Sequence, residues 1–419
     1  MKLISTLLGL FIAAAALAPV ELAAYPGFGK KIDASLSNSC GKCHVVYPKL
    51  RAYGKTVREI GYNVPSGAFD DGGLKRLYRS LPLALRGKVD MFNAEKPAGV
   101  NLSELQLISG GNTLSNKLSW WFHKHVMEDN ELVSLTTGMP HEAWLQFNAS
   151  DAVHLRAGMF ELPLWFSWSK TKVSELDYLY YTTTTNSDNF GLMAAPQFGL
   201  QAYGTFAFAA ADEDDWGEVD DTNQEGYNYA LSLTNGETAF TPAVNTFFGR
   251  ITRKKPDYAV GLFMLAGIQA APAEDDHGDD AMAHAEEQGG RYYRLGADGE
   301  LYLRGDDATV YASAAYGQDV ERAFVGGFVG YDQLVGRKIF LTARLDGVRF
   351  TAADEHAGMD MTGEEDGAHI HGTVISDNAL AACFGLYYLA MGNLRLGIDY
   401  RYGLTGIDNK SMLQLQFAL

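Results

Sequence analysis

The chain is poor in cysteine, with 3 in 419 residues, and in proline, with 12. So few thiols exclude a disulfide-stapled scaffold. Basic residues are also scarce: 34 Lys and Arg face 51 Asp and Glu, a net charge of -17. Phosphate backbones need the opposite sign, so nucleic acid is excluded as the main partner. Beyond the first 24 residues there is no apolar run of roughly 18 residues, so no membrane helix is expected. Charged residues make up 20% of the chain and hydrophobic residues 47%, which excludes general disorder. Gly (45) and Tyr (22) are abundant, as suits a strand-rich chain with interfacial aromatics.

Lys2, the apolar run Leu3 to Ala18 and the small residues up to Ala24 have the layout of a secretory signal. Cleavage is expected after Ala24, since Pro19 sits badly behind a cut at Ala18. Residues 1–24 are therefore assigned to export, 25–79 to a small segment with a motif of its own, and 80–419 to the main body.

That motif is Cys40-Gly41-Lys42-Cys43-His44. C-x-x-C-H is the attachment signal for one covalent c-type haem: Cys40 and Cys43 form the thioethers, and His44 takes the iron from one side. A zinc site would need a second ligand pair, and a thioredoxin-like site a βαβ setting, and neither accompanies it. Residues 45–62 read as a basic helical segment, with Lys49, Arg51, Lys55 and Arg58 available to haem propionates or simply to solvent. Between Tyr25 and Asp90 there is no Met, and His44 is the only His. The segment must borrow a sixth ligand from elsewhere or leave that position to water. It is also too short for a good core of its own, so it is expected to pack against or inside the main body.

From residue 80 the hydrophobic period is two. In Leu394 to Tyr402, apolar Leu394, Leu396, Ile398, Tyr400 and Tyr402 alternate with Arg395, Gly397, Asp399 and Arg401. Leu83–Asp90, Leu295–Arg304, Ile339–Asp346 and Leu413–Leu419 repeat the pattern. Alternation also fits a soluble sheet with one wet face. Arg and Asp on the polar face of many strands, Tyr near strand ends and an apolar last strand containing Phe417 favour a transmembrane antiparallel β-barrel. Sixteen or seventeen strand-like segments can be drawn, and sixteen is expected because such barrels have even numbers. Around residues 211–243 the alternation gives no consistent strand direction.

Acidic residues cluster in 212–221, 274–287 and 354–371, the last two with His277, His284, His356, His369 and His371. All three are expected to be extracellular loops. They are either solvated acidic loops or collectors of divalent cations. On Ser119–Met127, alternation turns Trp120, Phe122 and Val126 to lipid, and Trp121, His123, His125 and Met127 inward. His154 and Arg156 face inward on the next pattern. His123 and His125 are candidate distal haem ligands, with Met127 behind them, unless they are plain lumen lining. Cys383 is read as an inert thiol.

The stretch CGKCHVVYPKLRAYGKTVREIGY, residues 40–62, resembles the N-terminal motif of fused monohaem cytochrome–porins, whose best-known members are outer-membrane iron oxidases. Over the barrel the likeness is one of length and architecture. The resemblance implies an outer-membrane location, extracellular Fe(II) as electron donor and a periplasmic cytochrome as acceptor. It therefore implies an oxidoreductase of the Fe(II):cytochrome c kind, with the haem segment plugging the lumen. Two other readings stay open. One is a haem-capped diffusion porin, in which Arg86, Lys88, Arg156, Arg344, Arg395 and Arg401 select anions. The other is electron export to an outside acceptor.

Overall fold

The computed structural model describes residues 44–46, 49–50, 83–93, 100–113, 117–128, 131–133, 140–150, 152–166, 173–182, 193, 196–206, 226–236, 244–268, 290–303, 307–318, 322–336, 338–351, 378–391 and 394–418. Sixteen antiparallel strands close into one barrel. They are β1 Leu83–Asn93, β2 Asn101–Thr113, β3 Leu118–Glu128, β4 Glu142–Ser150, β5 Val153–Glu161, β6 Pro196–Phe206, β7 Gly226–Thr234 and β8 Thr246–Lys254. The second half comprises β9 Tyr258–Ile268, β10 Arg291–Leu303, β11 Ala308–Gln318, β12 Ala323–Val335, β13 Ile339–Phe350, β14 Ala379–Met391, β15 Leu394–Thr405 and β16 Lys410–Ala418. The ring closes where β16 pairs with β1, with Gln416 opposite Lys88 and Gln414 opposite Asp90. Among the described residues no helix is long and apolar enough to cross a membrane.

The alternation in sequence becomes an inside and an outside. Leu396, Ile398, Tyr400 and Tyr402 stand exposed on the outer wall, while Arg395, Asp399 and Arg401 are buried within. The extremes are Leu262, 63% exposed outside, and Arg294, 0% exposed inside. Such an apolar exterior is stable only against lipid, where a closed ladder leaves no strand edge unpaired. Outward Tyr residues gather near both rims: Tyr293, Tyr316, Tyr400 and Tyr402 at one, Tyr331 and Tyr388 at the other.

Three sequence expectations change. The first is the helix over 45–62. Residues 44–46 and 49–50 form a small antiparallel ladder instead, with His44 opposite Leu50 and Val46 opposite Lys49, while 51–62 lie outside the described residues. Two consecutive valines favour extended backbone, and Pro48 cannot continue a helix. The second is Met127. A bulge on β3 makes His125 pair with Gln106 but Met127 with Leu105. One extra residue reverses the pleat, so Met127 joins the outward face of Leu105 rather than the lumen.

The third is the shared end of the acidic segments. With sixteen strands, both barrel termini lie at one end, here called the terminal end. The strands flanking 269–290 and 352–377 open at the opposite end, whereas those flanking 207–225 open at the terminal end. Among the described residues of 211–243 only β7 is a strand, which removes the inconsistent strand direction there. Other terminal-end connections are short, such as Gly336 at φ 63 between β12 and β13, a left-handed turn position natural to glycine.

Replacing Leu262 by Arg would set a charge against lipid. The variant is expected to destabilise the barrel by about 2–4 kcal/mol if the site lies near mid-bilayer. Urea titration of protein folded into vesicles measures this.

Candidate functional site

The lumen is partly filled by the chain itself. After β5 the segment Leu162–Phe166 and the segment Val173–Thr182 turn inward, the latter ending in a short 3-10 turn, Leu179–Thr182. Leu162, Leu164, Trp165, Phe166, Leu176 and Tyr178–Tyr181 are buried in one apolar cluster with wall residues such as Phe248, Phe263, Tyr311, Phe328 and Val348. Burial raises the hydroxyl pKa of Tyr178 and Tyr180 well above the usual phenol value, so both stay protonated. A Cβ on Gly326 would collide with Tyr180, so glycine there lets this segment lie against β12.

Polar wall residues fasten the inward segment. Trp165 donates its Nε1–H to Glu300 at 2.8 Å, and Arg250 donates to the Pro163 carbonyl at 3.2 Å. Arg344 Nη2 donates to the carbonyls of Leu176 (3.0 Å) and Asp177 (2.6 Å), while its Nε pairs with Asp346 at 3.2 Å. Asp346 in turn accepts from the Leu179 amide at 3.1 Å, and Ser174 donates to Asp399 at 2.7 Å. Glu175 reaches Lys88 (2.8 Å), Arg395 (3.3 Å) and Gln416. Lys88 continues to Glu104 at 2.5 Å. The lumenal cations expected to select anions are thus largely engaged: Arg344 and Arg395 hold backbone carbonyls, and Arg156 is bonded to Gln146 and Tyr203 and stacked 4.0 Å from the Trp144 ring. Cys383 also faces inward, 3.8 Å from Arg344.

Lys49, five residues after the last residue of the C-x-x-C-H motif, sits in the same interior. Lys49 is 5% exposed. Its Nζ lies 2.7 Å from Asp332 on β12 and 3.3 Å from Thr309 on β11, close to the rings of Tyr311 and Phe340. All these wall residues lie toward the terminal end. Cys40 and Cys43 lie outside the described residues, as do the signal segment 1–24 and the three acidic clusters. His44 is described as a strand residue only. Any haem would be held by Cys40, Cys43 and His44. The wall anchor at Lys49, five residues after His44, suits that role because it ties the short motif-bearing segment to the barrel.

His123 and His125 are buried on the inner wall, as alternation predicts. They meet a third imidazole that sequence reading missed, His141. Ring centroids are 5.4 Å apart for His123–His125, 4.9 Å for His123–His141 and 5.4 Å for His125–His141. Carboxylates border the group: Glu104 is 3.3 Å from His125 Nε2, and Glu161 is 3.6 Å from His141 Nε2. Glu142 accepts from Trp121 Nε1 at 3.1 Å. His141 precedes β4, where no alternation marks it, and only the β3–β4 pairing brings it to the other two. This group lies on β2–β5 toward the end opposite the termini. Lys49 is anchored about half-way round the barrel, toward the terminal end. His154 sits apart, bonded to Asn148 at 2.8 Å and packed against Tyr203.

No family model matches the sequence, and no curated protein sequence matches it. Solved structures match the fold. The structure titled "Salmonella typhi OmpF complex with Daunomycin" aligns with a TM-score of 0.52 at 12% identity, over 81% of this chain and 97% of that one. The "Anion-selective porin from Comamonas acidovorans" aligns with a TM-score of 0.51 at 10% identity, over 80% and 99%. The chain has a porin-type barrel fold.

Arg344→Ala tests the inward segment. It removes two carbonyl contacts and leaves Asp346 buried without its cation, a cost of about 3–5 kcal/mol. The expected outcome is a lower unfolding midpoint together with higher single-channel conductance in planar bilayers.

Proposed function

We propose that this protein is an outer-membrane electron-transfer barrel. It takes electrons from extracellular Fe(II) and delivers them to a periplasmic cytochrome. Each cycle oxidises one Fe(II) to Fe(III) and reduces one acceptor cytochrome by one electron. Cys40, Cys43 and His44 hold a c-type haem, which supplies one-electron redox chemistry when bound. The chain acts as an oxidoreductase without a general base or nucleophile.

The observation that carries this reading is the Lys49–Asp332 contact at 2.7 Å. It supports a haem segment tied into the lumen near the terminal end, which is the periplasmic end if the short turns mark that side. A redox group held in a pore gives an electron a stepping point within an insulating layer about 25 Å thick that lipid alone does not provide. The acidic connections 269–290 and 352–377 then face outside and raise the local concentration of Fe(II). Product Fe(III), which is poorly soluble, stays outside the cell. The connection 207–225 faces the periplasm in this orientation.

A haem-capped diffusion porin is the second reading, favoured by the porin-type fold. The inward segment and the engaged arginines weigh against a wide anion-selective lumen. Electron flow in the outward direction uses the same parts and depends on the relative potentials of haem and partner.

Stopped-flow absorbance on oxidised, haem-loaded protein in detergent tests the proposal. Anaerobic Fe(II) is expected to reduce the haem by one electron, seen as growth of the α band. Reduction by dithionite but not by Fe(II) would overturn the donor. A Cys40→Ala, Cys43→Ala double variant is expected to fold as a barrel and to lose the covalent haem stain on denaturing gels.

A further inference from the structure

The three-histidine group on β3 and before β4 lies about half-way round the barrel from the Lys49 wall anchor. We infer that His123, His125 and His141, with Glu104 and Glu161, form a binding site for a divalent first-row transition cation on the lumen wall.

Ring spacing is the first support. Three imidazoles sharing one ion at about 2.0–2.1 Å, with ligand angles of about 90–110°, have centroids roughly 4.6–5.3 Å apart. The separations here are 4.9, 5.4 and 5.4 Å. One pair falls within that range and two stand just beyond it, so the rings already lie close to the spacing that shared coordination requires. Among the described residues no three donors yet form a coordination shell. The Nε2 atoms of His125 and His141 turn to Glu104 and Glu161 instead. On metal binding, those Nε2 atoms turn from the carboxylates to the ion.

Donor chemistry is the second support. Imidazole with carboxylate suits Fe(II), Zn(II) and their neighbours better than the oxygen-only preference of Ca(II) or Mg(II). Glu142, fixed by the Trp121 indole and by the Glu161 amide at 3.3 Å, stabilises the wall behind the ligands and adds negative charge. The third support is access. The group lies toward the end where the acidic connections 269–290 and 352–377 open, so cations are concentrated on that side.

The site stands whether or not Fe(II) is the physiological donor. Metal-stripped, haem-loaded full-length protein is titrated with Zn(II) and assayed by dialysis and metal analysis. One Zn(II) is expected to bind per chain more tightly than the background held by loop carboxylates and histidines. His123→Gln with His141→Gln is expected to weaken that site more than about 100-fold, beyond the loss typical of an outer-shell change. His154→Gln is expected to leave it unchanged. Co(II) bound to the wild-type chain is expected to show the intense visible bands of nitrogen ligation in a low-coordinate site. This readout does not depend on the double variant folding.

Undiminished Zn(II) binding in a folded double variant would overturn the inference, as would Co(II) bands typical of six oxygen ligands alone. Haem reduction by Fe(II) without a Zn(II) site would overturn only this inference. A Zn(II) site without haem reduction would overturn only the Fe(II) donor.

Discussion

Closure of the β16–β1 ladder is the constraint on which everything else rests. In hydrocarbon an unpaired strand edge exposes polar backbone with nothing to bond to, so a sheet crosses a membrane only as a complete ring. Sixteen strands achieve this, with Gln416 opposite Lys88 at the seam. An even strand number also returns both barrel ends to the same side. The first barrel strand begins, and the last one ends, at one end of the molecule.

A ring of this size encloses more space than its own inward side chains can fill. Here the chain fills much of that space with Leu162–Phe166 and Val173–Thr182. The packing is mixed. Aromatic rings such as Tyr178 and Phe328 supply dispersion and apolar burial, while Arg250, Arg344 and Arg395 satisfy the carbonyls of irregular backbone. Irregular backbone at membrane depth is tolerated only where protein or water meets its polar groups. The arginines that alternation turns inward therefore act first as anchors for the inward segment. Those contacts leave them poorly placed to serve as an anion filter.

The lumen also separates two chemical districts. Toward the terminal end, Lys49 ties the motif-bearing segment to Asp332 and Thr309. Toward the other end, and about half-way round, three imidazoles and their carboxylates share a wall. A donor arriving from one side and an acceptor waiting on the other would meet different ends of one molecule. That polarity is the physical content of the electron-transfer proposal.

Alternation alone determined much of the barrel. Period-two patterns such as Leu394–Tyr402 assign each residue to lipid or lumen, because successive side chains leave a strand on opposite faces. The same rule put His123 and His125 inside. C-x-x-C-H points to a c-type haem by local chemistry, an expectation that needs no tertiary structure. Tertiary structure decided what depends on pairing and count. The bulge on β3 reversed Met127, since one extra residue inverts a pleat. Counting strands moved 207–225 to the terminal end, since each hairpin changes the end. Pairing of β3 with β4 brought His141 to His123 across 18 residues of chain. The inward segments 162–166 and 173–182 follow no period at all. Their place was set by the space left inside a closed ring and by the wall groups waiting there, neither of which exists until the barrel has formed.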